Sequence, residues 1–403
     1  MVVSAVTIVS ASIIIPVLTM RKLKNLIHLL GAIFWVIFYR YPARNLKVIG
    51  ITGTDGKTTT SHLIYELLKL AGKKVALSST IGVKIDEEEI DTGFHVTTAS
   101  SHLLQKLIRK IADRGIEYLV LEVTSHAIDQ HRIFGCNFCI TVFTNLTREH
   151  LDYHSSFEEY RETKTKFLVK SPVTILNEID PSFEFIKRRC RGRVLEYTNY
   201  SQKIDNPRLL GEYNSQNVAA MGRVAEVLGI AKKVVSEVVD NFSGIEGRME
   251  EVKNNRGIKI IVDFAHTPNA LESVLKETKK KTKGSLICIF GCAGERDKSK
   301  RPIMGKITGE LSDVVVITAD DPRSEKVEKI IEEIKGGIYR KSGIYEIADR
   351  GEAVRFAINE VARKGDVVLI CGKGHEKSMA YGKIEHPWSD VEAVKTALKT
   401  SDI

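Results

Sequence analysis

The 403-residue chain has no long block of basic residues, no low-complexity tract, no internal repeat and only six cysteines. Without a basic block or a basic–aromatic stripe, nucleic-acid binding has little to rest on, even though the formal net charge is +9. That charge fits a phosphate-binding patch, an anionic membrane surface, or cations spread over a solvated face. Cys136 and Cys139 form a lone C-x-x-C with no second pair at zinc-ribbon spacing, so no structural zinc site is expected. Of the remaining cysteines, Cys288, Cys292 and Cys371 sit in apolar runs, and Cys190 does not. The set reads as reduced core thiols in a reducing compartment.

Charge is also missing from residues 2–20, VVSAVTIVSASIIIPVLTM. The run is just long enough to span about 30 Å of hydrocarbon. No basic residue precedes it, which argues against a cleaved signal peptide. Arg21, Lys22 and Lys24 follow it, and the positive-inside rule then favours a span with its C-terminal side in the cytoplasm. A second apolar stretch runs from Asn25 to Tyr39 and reads as an interfacial segment with Trp35, Tyr39 and Tyr41 as amphipathic anchors. The expectation is a membrane-anchoring segment over 1–45, with catalytic domains on the cytoplasmic side of the cell membrane. The competing reading is a hydrophobic helix docked on the protein itself or on a partner.

From Leu46 short apolar runs alternate with helical stretches. KVIGIT, KVALSS, EYLVLEV, CITVFTN and VTILN are continuous apolar segments, as expected of strands buried on both faces. SHLIYELLKLAG and ASSHLLQKLIRKIADRG separate some of them, which predicts an α/β fold with a parallel sheet. IKIIVDFAH, SLICIFGC, DVVVITAD and DVVLICG begin a second series after Gly247. The predicted organisation is a phosphate-loop, parallel-sheet ATP-binding domain over 46–245 and a smaller Rossmann-like α/β domain over 246–403.

The segment VIGITGTDGKTTTSHLIYELL places Gly53, Thr54, Asp55, Gly56, Lys57, Thr58 and Thr59 between a buried strand and a helix. Glycines let backbone N–H groups approach phosphate oxygens, and the helix N-terminus adds partial positive charge. Lys57 would contact the β and γ phosphates, and the Thr58 hydroxyl is placed to bind Mg²⁺.

G-T-D/N-G-K-S/T-S/T is the form of this loop in Mur ligases and in folylpolyglutamate and cyanophycin synthetases. LEVTSHAIDQHR (121–132), FTNLTREHLDYH (143–154), GRME (247–250), VDFAHTPNAL (261–270), FGCAGERDKSKRP (290–302), DDPRSE (320–325) and GKGHE (372–376) follow in the family's order. From Lys47 onward the chain resembles the Mur ligases, closest to the branch that adds the third residue of a peptidoglycan precursor peptide. The resemblance implies that ATP phosphorylates a peptide carboxylate and that an incoming amine attacks the acyl phosphate. It implies Lys57, Glu122, His150 and Lys164 as catalytic residues, the last carbamylated, with Lys166 a nearby competitor. Thr58, Glu122, His150 and Lys164 would hold Mg²⁺. Thr97, Thr98, Thr124, Gln130 and Arg132 correspond to positions that hold the acceptor, although such threonines also cap helices and turns. Asn217 corresponds to an adenine contact, and Arg248 and Asp263 to groups that clamp nucleotide. Thr124 replaces the family's usual Ser, and Glu149 its usual Asp.

Choice of the amino acid is expected to reside in Asp320, Asp321, Arg323, Gly372 and Glu376. The family pattern D-N-P-R accompanies diaminopimelate, whose second carboxylate Arg323 would bind bidentately. Asp321 stands in the Asn position, which keeps lysine or another diamino acid open. The resemblance also implies a nucleotide-sugar-binding domain of roughly a hundred residues before the loop, where here stand only 45, mostly apolar. The expected acceptor is therefore a peptidyl sugar, either UDP-linked or lipid-linked. A pseudomurein-type peptide and a folylpolyglutamate-like glutamate ligase are the alternatives.

Overall fold

The structure is a computed structural model that describes residues 21, 23–85, 88–90, 97–150, 152–339 and 343–399. The apolar run 2–20 lies outside the described residues. The second apolar stretch folds as a helix, α1, over 23–38. It ends where Arg40 and Tyr41 take left-handed backbone (φ 57° and 51°) and Pro42 stops further helical hydrogen bonding. Among the described residues no helix is long and apolar enough to cross a membrane. Of the three expected interfacial anchors, Trp35 and Tyr39 are turned to the protein. The Trp35 ring lies 4.1 Å from that of His102, and the Tyr39 hydroxyl is 3.1 Å from His102 Nε2. Tyr41 is exposed. Burial explains the difference, because Ala32 and Val36 on the same side of α1 are fully covered.

The chain forms two compact units. The first comprises residues to Leu146, Glu158–Thr198 and Gln216–Val238; the second comprises Thr147–Phe157, Asn199–Ser215 and Val239 onward. The first unit holds an eight-stranded sheet in the order β4-β3-β2-β5-β1-β6-β7-β8. Its strands are β1 (Lys47–Thr52), β2 (Val75–Ser78), β3 (Val83–Ile85), β4 (Glu88–Ile90), β5 (Tyr118–Glu122), β6 (Phe138–Phe143), β7 (Val173–Asn177) and β8 (Arg193–Tyr197). β2, β5, β1, β6, β7 and β8 are parallel, and β3 and β4 add an antiparallel edge. The parallel core needs crossovers, supplied by helices such as α2 (Lys57–Leu70), α3 (Ser101–Asp113), α4 (Ser125–Asp129), α5 (Phe157–Leu168) and α6 (Phe183–Lys187). α7 (Glu212–Leu228) and α8 (Lys232–Asn241) follow.

The second unit holds a six-stranded sheet in the order β13-β12-β11-β14-β10-β9, and a hairpin of β15 (Ser378–Tyr381) and β16 (Ile384–Pro387). The sheet strands are β9 (Glu250–Val252), β10 (Lys259–Asp263), β11 (Leu286–Phe290), β12 (Val314–Ile317), β13 (Ile344–Glu346) and β14 (Val367–Cys371). Only β9 is antiparallel to its neighbour. β11 shows why the sequence runs are apolar throughout. Leu286, Cys288 and Phe290 pack with α9 (Pro268–Lys281), α10 (Lys300–Leu311) and α11 (Val327–Lys335) on one face. Ile287 and Ile289 pack with α12 (Arg350–Phe356) and α13 (Asp390–Lys399) on the other. A strand covered on both faces has no position left for a solvent-facing polar residue. Both units match the predicted α/β class.

Candidate active site

In the first unit the registers Ile51↔Glu122 and Thr52↔Phe143 align the carboxyl ends of β1, β5 and β6. Parallel strands collect functional loops at that end. The loop after β1 turns into α2 at Gly56, whose φ of 79° favours glycine. A Cβ there would sit 2.6 Å from Asn217 Oδ1, so the side chain is excluded by crowding as well as by backbone conformation. Asn217 Oδ1 also accepts from Thr60 Oγ1 (3.1 Å). Lys57 Nζ folds back to donate to Thr54 O (2.7 Å), and Thr59 is half-buried on the first turn of α2.

Residues that the sequence reading left without a role hold this loop. Asn145 Oδ1 accepts from Asp55 N (2.9 Å) and Asn145 Nδ2 donates to Asp55 O (3.1 Å), while Thr144 Oγ1 donates to the same carbonyl (2.7 Å). Thr54 N donates to Asn145 O (2.8 Å). Both residues lie in the quoted FTNL segment, at the end of the neighbouring strand β6. That adjacency was the available signal.

Glu122 is completely buried at the end of β5. Its carboxylate accepts from the hydroxyls of Thr58 (3.3 Å), Ser61 (3.2 Å) and Thr80 (2.9 Å) and from the Thr80 amide (3.2 Å). An uncompensated buried carboxylate would be costly, and this ring of donors lowers that cost. Lys164 on α5 is 2% exposed. Its Nζ donates to Gly53 O (2.8 Å) and Thr52 Oγ1 (3.3 Å). Burial, with some help from the Lys57 charge, pulls its ammonium well below the ordinary range. Lys166 is exposed, so of the two lysines only Lys164 reaches the loop.

Thr98 Oγ1 donates to Glu122 O (2.9 Å) and accepts from Thr124 N (3.2 Å), and Thr97 Oγ1 lies 3.1 Å from Thr80 Oγ1, whose one proton goes to Glu122. Thr124 Oγ1 accepts from Ala127 N and so caps α4. Gln130 Oε1 accepts from both Nε (3.0 Å) and Nη2 (2.7 Å) of Arg132, whose Nη1 donates to Thr98 O (2.7 Å). The arginine is thereby held in one orientation beside the strand end.

His150 belongs to the second unit, and Thr58, Glu122 and Lys164 belong to the first. Its backbone is left-handed, φ 58°, an uncommon and strained state for this residue. Beside it the buried Glu149 accepts from Lys300 Nζ (3.2 Å), which also donates to His266 O (3.0 Å). Asp263, at the end of β10, accepts from Met249 N (2.8 Å) and Ala265 N (2.8 Å); burial raises its carboxyl. Arg248 stacks over the Phe264 ring at 4.4 Å.

Asp320 follows β12 and Gly372 follows β14, again at carboxyl strand ends. A Cβ on Gly372 would come within 2.3 Å of Asp320 Oδ2, so the glycine lets that buried carboxylate in. Burial raises Asp320, against the pull of Lys373 and Arg350. Asp321 Oδ1 accepts from Lys373 Nζ (2.7 Å) and Ala380 N (2.9 Å). Lys373 Nζ also lies 2.6 Å from Glu376 Oε2. Burial pulls the Lys373 ammonium down, but Asp320, Glu376 and Asp321 together raise it above the ordinary value. Desolvation pushes Glu376 up to about 7 although Lys373 opposes it. Arg323 Nη1 donates to Gly294 O (2.7 Å). Lys373, which the sequence reading passed over inside GKGHE, is thus the cation around which the acidic cluster is built.

Fold and geometry define a phosphate-loop α/β enzyme, with a buried carboxylate under the loop and a second α/β unit carrying an acidic cluster at its strand ends. Residues 51–221 match the Mur ligase middle domain and residues 247–374 the Mur ligase, glutamate ligase domain. The UDP-N-acetylmuramoyl-L-alanyl-D-glutamate--2,6-diaminopimelate ligase of Geobacillus thermodenitrificans is 34% identical over 397 residues, which is 90% of this chain and 81% of that one. A solved structure of an enzyme with that name superposes with a TM-score of 0.59 at 31% identity, covering 90% of this chain and 80% of that one. A pseudomurein peptide ligase type C from Methanothermus fervidus shares the fold, with a TM-score of 0.65 at 19% identity over 90% of this chain and 80% of that one. The chain belongs to the Mur ligase family of ATP-dependent ligases.

Proposed function

We propose that the protein joins a diamino acid, meso-diaminopimelate in the first instance, to a UDP-linked muramoyl dipeptide, using ATP. The observation that carries the reading is the loop–carboxylate arrangement of the first unit, in a chain about one-third identical to ligases named for that reaction. The γ-phosphate of ATP passes to the peptide carboxylate to give an acyl phosphate and ADP. The amine attacks the acyl carbon, the C–O bond to phosphate breaks, and an amide and inorganic phosphate result once the amine has lost its proton. The backbone of Gly53 to Thr59 and Lys57 hold the phosphates, and catalysis rests on position and charge.

The donors fit Mg²⁺. The Thr58 hydroxyl and the Glu122 carboxylate are oxygen ligands 3.3 Å apart, and Mg²⁺ usually takes one or two protein oxygens, the remainder coming from phosphates and water. When bound, the ion offsets negative charge on the phosphates. His150 and a carbamylated Lys164 are the further ligands in this proposal. Carbamylation needs a neutral amine, and the burial of Lys164 favours one.

Thr97, Thr98, Thr124, Gln130 and Arg132 serve the acceptor, with Arg132 as its anionic-group anchor because Gln130 and Thr98 have already fixed its orientation. Asn217 serves adenine, and Arg248 and Asp263 serve nucleotide. In the second unit Arg323 takes the second carboxylate of diaminopimelate, and Asp320, Asp321, Gly372 and Glu376 surround its distal ammonium. The domain limits proposed remain 46–245 and 246–403. A lipid-linked acceptor is the second reading, favoured by the uncharged run 2–20.

Mass spectrometry of products from full-length protein, ATP, Mg²⁺, diaminopimelate and UDP-muramoyl dipeptide tests the proposal. The expected product is heavier by one diaminopimelate residue. ATP binding without product on this acceptor, together with turnover of a lipid-linked peptide, would replace the first reading by the second.

A further inference from the structure

Helix α1 has two faces of opposite character. Ala32 and Val36 are buried, and Val36 presses on Gly135 so closely that a Cβ there would lie 2.5 Å away. Arg21 forks to Asp129 (3.0 Å) and Glu159 (2.6 Å). These contacts, with Trp35 and Tyr39 on His102, fix how α1 is rotated on the first unit. The other face carries Leu26, Ile27, Leu30, Phe34, Ile37 and Phe38, each more than half exposed. At about 100° per residue these six fall within an arc of about 120°, centred roughly opposite the docked face. A contiguous apolar stripe of this kind on a soluble surface marks an interaction site.

The charge around the stripe identifies the occupant. Residues 1–54 contain no acidic residue and six basic ones, Arg21, Lys22, Lys24, Arg40, Arg44 and Lys47. Lys24 is exposed within α1, and Arg40 and Arg44 are exposed just past its C-terminal end. A second copy of the chain would bring like charges together, whereas an anionic bilayer meets both the stripe and its cations favourably. The uncharged sequence of 2–20 leads directly into the same helix. We infer that α1 is an interfacial anchor, lying flat on an anionic lipid bilayer with its Leu–Ile–Phe stripe in the headgroup–acyl boundary. The inference concerns the surface of the first unit and holds for either acceptor.

The test is flotation of the full-length protein with vesicles of phosphatidylcholine alone or with phosphatidylglycerol added. The chain is expected to float with the anionic vesicles and to be released by high salt. An Ile27→Glu, Leu30→Glu, Ile37→Glu variant keeps the docked face and the rings packed on Trp35 and Tyr39, so its melting temperature and its turnover on a soluble acceptor stay unchanged. Its partition to anionic vesicles falls by at least about tenfold. Lys24→Glu with Arg40→Glu leaves the stripe intact and lowers binding by about fivefold or more per reversed charge. Wild-type flotation by the triple variant would overturn the inference, because residues 2–20 would then anchor without α1. Equal binding to neutral vesicles would overturn the choice of an anionic surface. A wild-type dimer that never floats, and that the triple variant breaks, would assign the stripe to a second copy instead.

Discussion

The carboxylate of the first unit and those of the second are stabilised in different ways. Glu122 is wrapped by three hydroxyls and an amide, so its charge is lessened only by dipoles. Asp320, Asp321 and Glu376 instead surround the buried ammonium of Lys373. Neutral donors leave net negative charge available to an arriving cation, as a metal–nucleotide site needs. A fixed lysine cancels part of the charge in advance; in the function proposed above, that lets the second cluster discriminate among cationic ligands without binding every one strongly. The extra carboxylate that Asp321 brings to the family's Asn position is matched by this ion pair, which keeps diaminopimelate compatible with the departure.

The comparison breaks first at Lys57. Lys57→Ala is expected to lower kcat/KM by about 10³-fold or more, read as ADP release, since it removes charge at the transferring phosphate. Glu122→Gln keeps the shape and most hydrogen-bonding capacity, and should cost about 10²-fold with a raised Mg²⁺ requirement; unchanged Mg²⁺ dependence would refute its role as a ligand. In the second unit Arg323→Ala should lower kcat/KM for diaminopimelate by about 10²-fold while leaving lysine turnover nearly untouched, because only one of them carries the second carboxylate. Equal losses for both amino acids would show that Arg323 serves structure, not choice. Asn145→Ala should raise KM for ATP by about tenfold with a small change in kcat, because it loosens the loop and leaves the reacting groups in place.

The smallest effect is in pH. Glu376 titrates near 7, so it is protonated and neutral below that pH and ionised above it. Affinity for the amino acid's distal ammonium should therefore rise a few-fold from about pH 6 to 8. Glu376→Gln should flatten that rise; persistence of the slope would move the titrating group elsewhere.

Much of the fold was legible because strands buried on both faces must be apolar throughout, as β11 and β14 are. The edges were not. β3, β4, β9, β13 and the β15–β16 hairpin are short and partly or wholly exposed, so burial imposes no pattern on them. The loop's place was legible for the same kind of reason: a tight strand–helix junction such as that at Gly56, φ 79°, favours glycine. The partners that hold a functional group obey no such local rule. Asn145 braces Asp55 across 90 residues, and Lys373 meets Asp321 across 52.

The sequence by itself determined the α/β class, the strand–loop–helix junction over 53–59 and the order of the motifs, since each depends on neighbours along the chain. Tertiary structure decided that Lys164 rather than Lys166 reaches the loop, that Trp35 and Tyr39 turn inward, and that Lys373 sits among the acidic residues. Those outcomes depend on which side of a helix is covered and which strand ends lie together, and contacts between distant segments settle both.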